Sequence, residues 1–206
     1  MKSGKALAVI LSVISFLWVM HTLSKNFMID PDFTSFLSKK DVVLSDEYLW
    51  ALMIRIHIIL ALIALLTGPI GLNKRLRAKS PALHRWNGRI YMYSIVLNFI
   101  PGVYVSFFAS GGVWSTVGFL VLDTLWLLYT ILGVRYIKKK NIELHSSWMT
   151  RSFFLTFANM TIYIIVAITH NALNLPYGVS YTIAVWCCWP MNLVLAEIAI
   201  RKRALV

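Results

Sequence analysis

The chain of 206 residues is short of charge, and above all of negative charge: only 14% of residues are charged, with eight acids against twenty Lys and Arg. Cysteine is scarce too. Cys187 and Cys188 are adjacent inside an apolar run, with no CxxC pair and no zinc spacing, which excludes a disulfide scaffold or a zinc module. Paired carboxylates, an HxxxH metal box and a Ser–His nucleophile motif are also missing, so nothing favours a lipid-modifying enzyme. What is abundant is apolar residues, at 59%. The mean hydropathy is +0.71. That is membrane composition; a soluble domain of this length needs more polar surface. The formal net charge of +12 would suggest nucleic acid in a soluble protein. Here the cations sit in short clusters between apolar runs, so the expected partner is the lipid bilayer and not nucleic acid.

Six windows reach the roughly 20 apolar residues that a bilayer core requires: 6–23, 49–71, 90–109, 115–134, 152–173 and 178–199. Backbone groups in lipid must be satisfied within the segment, so each is read as a helix. The first follows a basic head without a small-x-small cleavage site, and is read as an uncleaved span. An outer loop (24–48), two basic loops (72–89 and 135–151) and two short turns separate the windows. One face collects sixteen Lys and Arg, from Lys2 and Lys5 through the two basic loops to Arg201, Lys202 and Arg203. The other holds Lys25, Lys39 and Lys40 beside Asp30, Asp32, Asp41, Asp46 and Glu47. The positive-inside rule puts both termini in the cytoplasm and residues 24–48 outside. The expected fold is all-α: one integral membrane domain over 1–206, a bundle of six transmembrane helices in the plasma membrane.

Ionisable residues inside a span mark candidate sites. Arg55, His57 and Asp123 lie at matched depth, roughly 9–12 Å below the outer surface by helical rise. An Arg55–Asp123 ion pair is expected, serving either helix packing or proton and substrate handling. His21 and His170 fall near outer span ends. In the last span Trp186, Trp189, Leu193 and Glu197 share one helix face, with a kink expected at Pro190. Glu197 is read as a helix-end salt bridge or as facing His84 or His145.

The stretches HRWNGRIY (84–91) and HSSWMTRS (145–152) each set His, Trp and Arg ahead of an apolar run. Helix N-termini attract anions, and Arg89 and Arg151 add positive charge. Trp86 and Trp148 suit the headgroup layer as anchors. His84 and His145 share a membrane side, so three readings stay open: anchors or caps, metal or haem b ligands with Arg89 and Arg151 on the propionates, or proton handling. The two hairpins closed by these loops read as a duplicated unit or as convergent basic loops.

The pieces RIHIILALIALLTGP (55–69), ALHRWNGRIY (82–91), the GF of VGFL with the later Trp126, ELHSSWMTRSFFLTFAN (143–159) and VWCCWPMNLVLAEIAIRKR (185–203) resemble a bacterial family of membrane proteins known only as domain of unknown function 2306. The resemblance covers most of the chain after residue 50. It implies a histidine-bearing six-helix bundle and no established reaction. It marks Arg55, His57, His84, Arg89, Tyr91, His145, Trp148, Arg151, Asn192 and Glu197. The chain departs from the pattern at Ile70-Gly71, where a glutamine is expected, and at Thr161-Ile162-Tyr163, where an arginine is expected.

These readings lead to a small redox or cofactor-binding membrane protein with quinone as electron partner. At most one haem is expected, because His57 lies about two helical turns deeper than His170 or His21. The alternatives are a transporter or proton-coupled permease using Arg55 and Asp123, and a non-catalytic subunit that stabilises a membrane complex.

Overall fold

The computed structural model describes residues 2–40 and 43–204, with side chains for 7–40, 43–73 and 76–202. Asp41 and the side chains of Lys2, Lys5, Lys74, Arg75 and Arg203, which entered the charge comparison, lie outside the described residues. The described chain is helical throughout its ordered elements, with no strand. In order these are α1 (Lys2–Leu23), a π-helical turn (Ser24–Ile29), α2 (Thr34–Leu37), α3 (Glu47–Leu72), α4 (Lys74–Lys79), α5 (Pro81–Ser106), α6 (Gly112–Lys138), α7 (Ile142–Leu155), α8 (Ala158–Val166), a second π-helical turn (Ala167–Ala172) and α9 (Tyr177–Ala204).

Five stretches among the described residues are long and apolar enough to cross a bilayer: Leu7–Ile29, Glu47–Leu72, Gly112–Lys138, Ile142–Ala172 and Tyr177–Lys202. The sixth expected span, α5, has 26 residues. That is about 39 Å of helix, enough to cross. It is more polar than the others, with Asn87, Ser94, Asn98 and Ser106 buried where it packs along α3 and α6. The surface is inverted relative to a soluble protein. Ile100, Val113, Met28 and Ile29 are exposed, whereas Ser15, Ser115, Thr130, Thr150, Ser152 and Ser180 are fully buried. Small residues let helices approach closely where lipid supplies no hydrophobic drive between them. Gly68 shows this, because a Cβ there would occupy the space of the Phe153 ring of α7.

The basic loops are largely helix. α4 fills part of 72–89 and α5 starts at Pro81, while α6 runs on to Lys138 and α7 starts at Ile142. Hydropathy marks only the apolar stretch of a helix; intrahelical hydrogen bonds carry it on into the polar interface. The two starts use the same device. Ser80 Oγ accepts from Leu83 N at 3.4 Å, and Asn141 Oδ1 accepts from Leu144 N at 3.0 Å. The next residue in each helix is His84 and His145, so the two histidines occupy equivalent positions in the first turn.

The fifth expected span is broken. α7 ends at Leu155, Thr156 and Phe157 make a tighter turn, and α8 restarts at Ala158. Thr156 Oγ1 donates to Phe153 O at 2.5 Å, and the backbone N–H groups of Thr156 and Phe157 bond three residues back instead of four. α9, by contrast, runs continuously through Pro190.

Candidate functional site

A cavity of about 380 Å³ opens beneath the segment that joins α1 to α3. This is the size range of small-molecule sites. Apolar and aromatic side chains, with Trp18, Phe119, Trp126, Tyr163 and Tyr181 among them, make much of its wall. Lys25, Asn26, Asp30, Ser35, Lys39 and Lys40 line it from the α1–α3 connection. The polar groups beneath that connection include His57 from α3, Ser106 from α5, Asp123 from α6, and Thr156 and Asn159 at the break between α7 and α8.

Two of those groups converge. A Cβ built on Gly102 would lie 3.0 Å from Asp123 Oδ2 and 3.3 Å from His57 Nδ1. The bare glycine therefore leaves a notch with a carboxylate on one side and an imidazole nitrogen on the other. His57 Nδ1 is buried without a hydrogen-bond partner. Asp123 is 8% exposed. Its recorded hydrogen bond is from Ser106 Oγ, at 3.4 Å. The Ser106 hydroxyl has a single proton and lies nearer to Gly102 O, at 2.8 Å. Asp123 is thus weakly compensated for a buried carboxylate.

The expected Arg55–Asp123 ion pair does not form. Arg55 turns outward, donates to Pro31 O at 2.9 Å, lies 3.9 Å from Asp32 Oδ1 and covers the Phe33 ring at 5.6 Å. Equal depth was not enough, because Arg55 and His57 are two residues apart and point to different helix faces.

The outer segment is a strap. Asp30 accepts from Thr34 N at 2.8 Å, from Thr34 Oγ1 at 2.7 Å and from Ser35 N at 3.0 Å, which caps α2. These bonds, the Thr34 hydroxyl foremost, hold the Asp30 carboxyl below its ordinary pKa. Phe33 has a left-handed φ of 55° and is 2% exposed, set edge-on to Trp50. Lys25 Nζ donates to Tyr163 OH at 3.0 Å, Lys40 Nζ donates to Phe108 O, and Ser110 Oγ donates to Lys39 O at 3.0 Å. His170 also reaches the cavity, with Nδ1 2.8 Å from Leu175 O. His21 stacks on Trp18.

At the basic end the residues of the two His–Trp–Arg motifs mostly have partners. Arg151 Nε donates to Glu197 Oε1 at 2.5 Å and its guanidinium covers Trp148 at 4.6 Å. Glu197 is therefore a helix-end partner of Arg151. Arg89 stacks on the exposed Trp86 at 5.1 Å. His145 Nδ1 lies 2.8 Å from Gly133 O, while His84 Nδ1 is buried without a partner. The two histidines are near enough to interact electrostatically with each other and with Arg77. Neither lines the cavity, and among the described residues no group of three or more His, Cys, Asp or Glu could hold a metal ion.

Other expected site residues hold helices together. Tyr91 OH, Ser152 Oγ and Thr130 Oγ1 form a buried chain with steps of 2.8 and 2.7 Å, joining α5, α7 and α6. Asn192 Nδ2 donates to Thr161 Oγ1 at 3.1 Å, joining α9 to α8. Trp186 Nε1 donates to Trp114 O at 3.0 Å. Sequence reasoning missed Gly102, Ser106 and Asn159. The available signals were the Pro101-Gly102 pair and an asparagine inside an apolar run.

The structure is that of a polytopic, all-helical membrane protein with a strapped cavity set among its helices. The chain belongs to the family described as "Predicted membrane protein (DUF2306)", which matches residues 54–200. No curated protein and no solved structure matches the chain. The cavity floor, including His57, Gly102 and Asp123, lies within the matched region, whereas α1 and the strap lie before it.

Proposed function

We propose that the protein binds an amphipathic small molecule of the quinone class in the strapped cavity, on the outer side of a bacterial plasma membrane. The observation that carries this reading is the notch at Gly102, where an orphan buried imidazole nitrogen and a poorly compensated carboxylate face the same point. A ring carbonyl or hydroxyl placed there would accept from one side or donate to the other, and the aromatic walls would take the ring and its tail. In this role the protein is a redox-linked membrane component. Haem fits less well. Arg151, wanted for a propionate, is held by Glu197, Arg89 lies on Trp86, and His84 and His145 stand apart from the cavity.

The test is titration of the purified protein in mild detergent with a short-chain benzoquinone, followed by quenching of tryptophan fluorescence. Saturable quenching is expected, with affinity falling about tenfold in Asp123→Asn and in His57→Ala, the scale of one hydrogen bond in a dry site. No saturation up to the solubility limit sinks the quinone reading. A visible spectrum of the same preparation with a Soret band that is lost in His84→Ala or His145→Ala would restore the haem.

A second reading has one specific observation behind it. The break between α7 and α8 puts a tight turn, bonded three residues back, beside the cavity, and interruptions of a spanning helix are where substrate sites are built in many transporters. Flux in proteoliposomes that is abolished by Asp123→Asn, without saturable quinone binding, would favour transport.

A further inference from the structure

We propose that the groove between α5 and α6 at the basic end of the bundle binds one anionic phospholipid. Its acyl chain would lie against Met92, Val96, Ile131 and Val134, and its phosphate on Arg135 and Lys138. These six residues line a groove of about 210 Å³ that shares no residue with the strapped cavity. The proposal therefore stands independently of the functional reading above.

The groove is apolar along its length and cationic at one end. Met92 and Val96 are one turn apart on α5, and Ile131 and Val134 are one turn apart on α6, so both helices turn matching apolar rows into it. From Ile131 to Lys138 the groove extends about 10 Å along α6, of which the apolar rows take about 5–6 Å, room for a few carbons of one acyl chain, and the two cations the rest. Arg135 and Lys138 follow at the next turn, and both side chains are exposed. Among the described residues the ion pairs are Arg55–Asp32 and Arg151–Glu197, so neither Arg135 nor Lys138 is neutralised by a carboxylate. Long basic side chains at a helix end reach the headgroup layer while their stems stay in the apolar slot.

This pairing selects the occupant. A free inorganic anion would use the cations but leave the slot empty. A zwitterionic lipid would fill the slot but bring a choline cation to two cations with no carboxylate to receive it. A phospholipid with net negative charge satisfies both ends, as expected for a basic pocket between transmembrane helices.

The experiment is native mass spectrometry of the full chain, released from bilayer nanodiscs of phosphatidylcholine doped with phosphatidylglycerol. One phosphatidylglycerol retained per chain is expected. Arg135→Gln with Lys138→Gln should lower that retention about tenfold. Val134→Trp, which fills the slot and keeps both charges, should lower it comparably and serves if the double variant fails to fold. Lys139→Gln with Lys140→Gln, an equal charge change outside the groove, should leave it intact. The proposal is overturned if that control loses lipid as fully as the groove variant, which would mean bulk surface charge alone. It is also overturned if phosphatidylcholine is retained equally, or if inorganic phosphate displaces the lipid.

Discussion

The two halves of this bundle treat their polar groups in opposite ways. At the basic end the residues of the two His–Trp–Arg motifs are largely spoken for: Arg151 has Glu197 and Trp148, Arg89 has Trp86, and His145 has the Gly133 carbonyl. In the outer half the strap is well tied, yet the groups beneath it are not. His57 Nδ1 is an orphan and Asp123 has one long hydrogen bond. Unpaired buried polar atoms cost stability, so their presence at the floor of a cavity points to a ligand that supplies the missing bonds. The contrast has exceptions at the basic end, where His84 Nδ1 and Trp148 Nε1 are also unpartnered. Neither of them lines the strapped cavity.

The comparison can be broken at its hinge, where packing holds both halves. Gly68→Val should have the largest effect, because the new carbons collide with the fully buried Phe153 ring and backbone must shift. A loss of about 3 kcal/mol or more, read as a collapse of the folded fraction in detergent, is expected. A folded variant of ordinary stability would mean that α3 and α7 are not locked there.

Tyr91→Phe comes next. It leaves Ser152 in a buried chain with one partner fewer and should cost about 1–2 kcal/mol in thermal or denaturant melting.

Arg151→Ala and Asp123→Asn form a pair that sharpens the contrast directly. Arg151 and Glu197 are partly exposed, so the salt bridge is discounted for screening, and its loss should cost about 1 kcal/mol or less. Asp123→Asn removes a buried charge without a cation, so stability should be unchanged or slightly raised while ligand binding falls. If Asp123→Asn is instead the more destabilising of the two, the carboxylate is structural and the outer half is not a site.

The smallest effect is local and set by pH. The Asp30 carboxyl is held below its ordinary pKa by the bonds it accepts as a carboxylate. Its contribution to strap order is therefore complete above the unfolded value of about 3.9 and is lost as pH falls through the lower folded value. Hydrogen exchange at residues 34–37 should rise only on the acid side of that range. Asp30→Asn should show fast exchange at every pH, and a pH-dependent response in that variant would assign the effect elsewhere.

Much of the fold was legible because the bilayer imposes one requirement on every span. The apolar windows fall on helices, but the first helical stretch runs on to Ile29, six residues into the segment 24–48 that was expected to be loop, because a π-helical turn continues it past the apolar window. The break in the fifth span was not legible. Residues 152–173 read as one apolar run, and the turn at Thr156–Phe157 depends on a hydroxyl bonding to Phe153 O and on the mutual packing of Phe153, Phe154 and Phe157. Among the site residues, His57 and Asp123 stood out as ionisable groups in lipid, and Gly102 did not, since its role is the absence of a side chain.

By itself the sequence determined that this is an all-helical membrane protein and where along the chain its long helices lie. Length and transfer free energy act along one axis and can be summed over a window. Which residues meet was decided only by tertiary structure. Rotation of each helix about its own axis turned Arg55 to Asp32 and Arg151 to Glu197, and set Gly102 between His57 and Asp123. That rotation depends on side-chain packing between helices distant in the chain, and no one-dimensional pattern carries it.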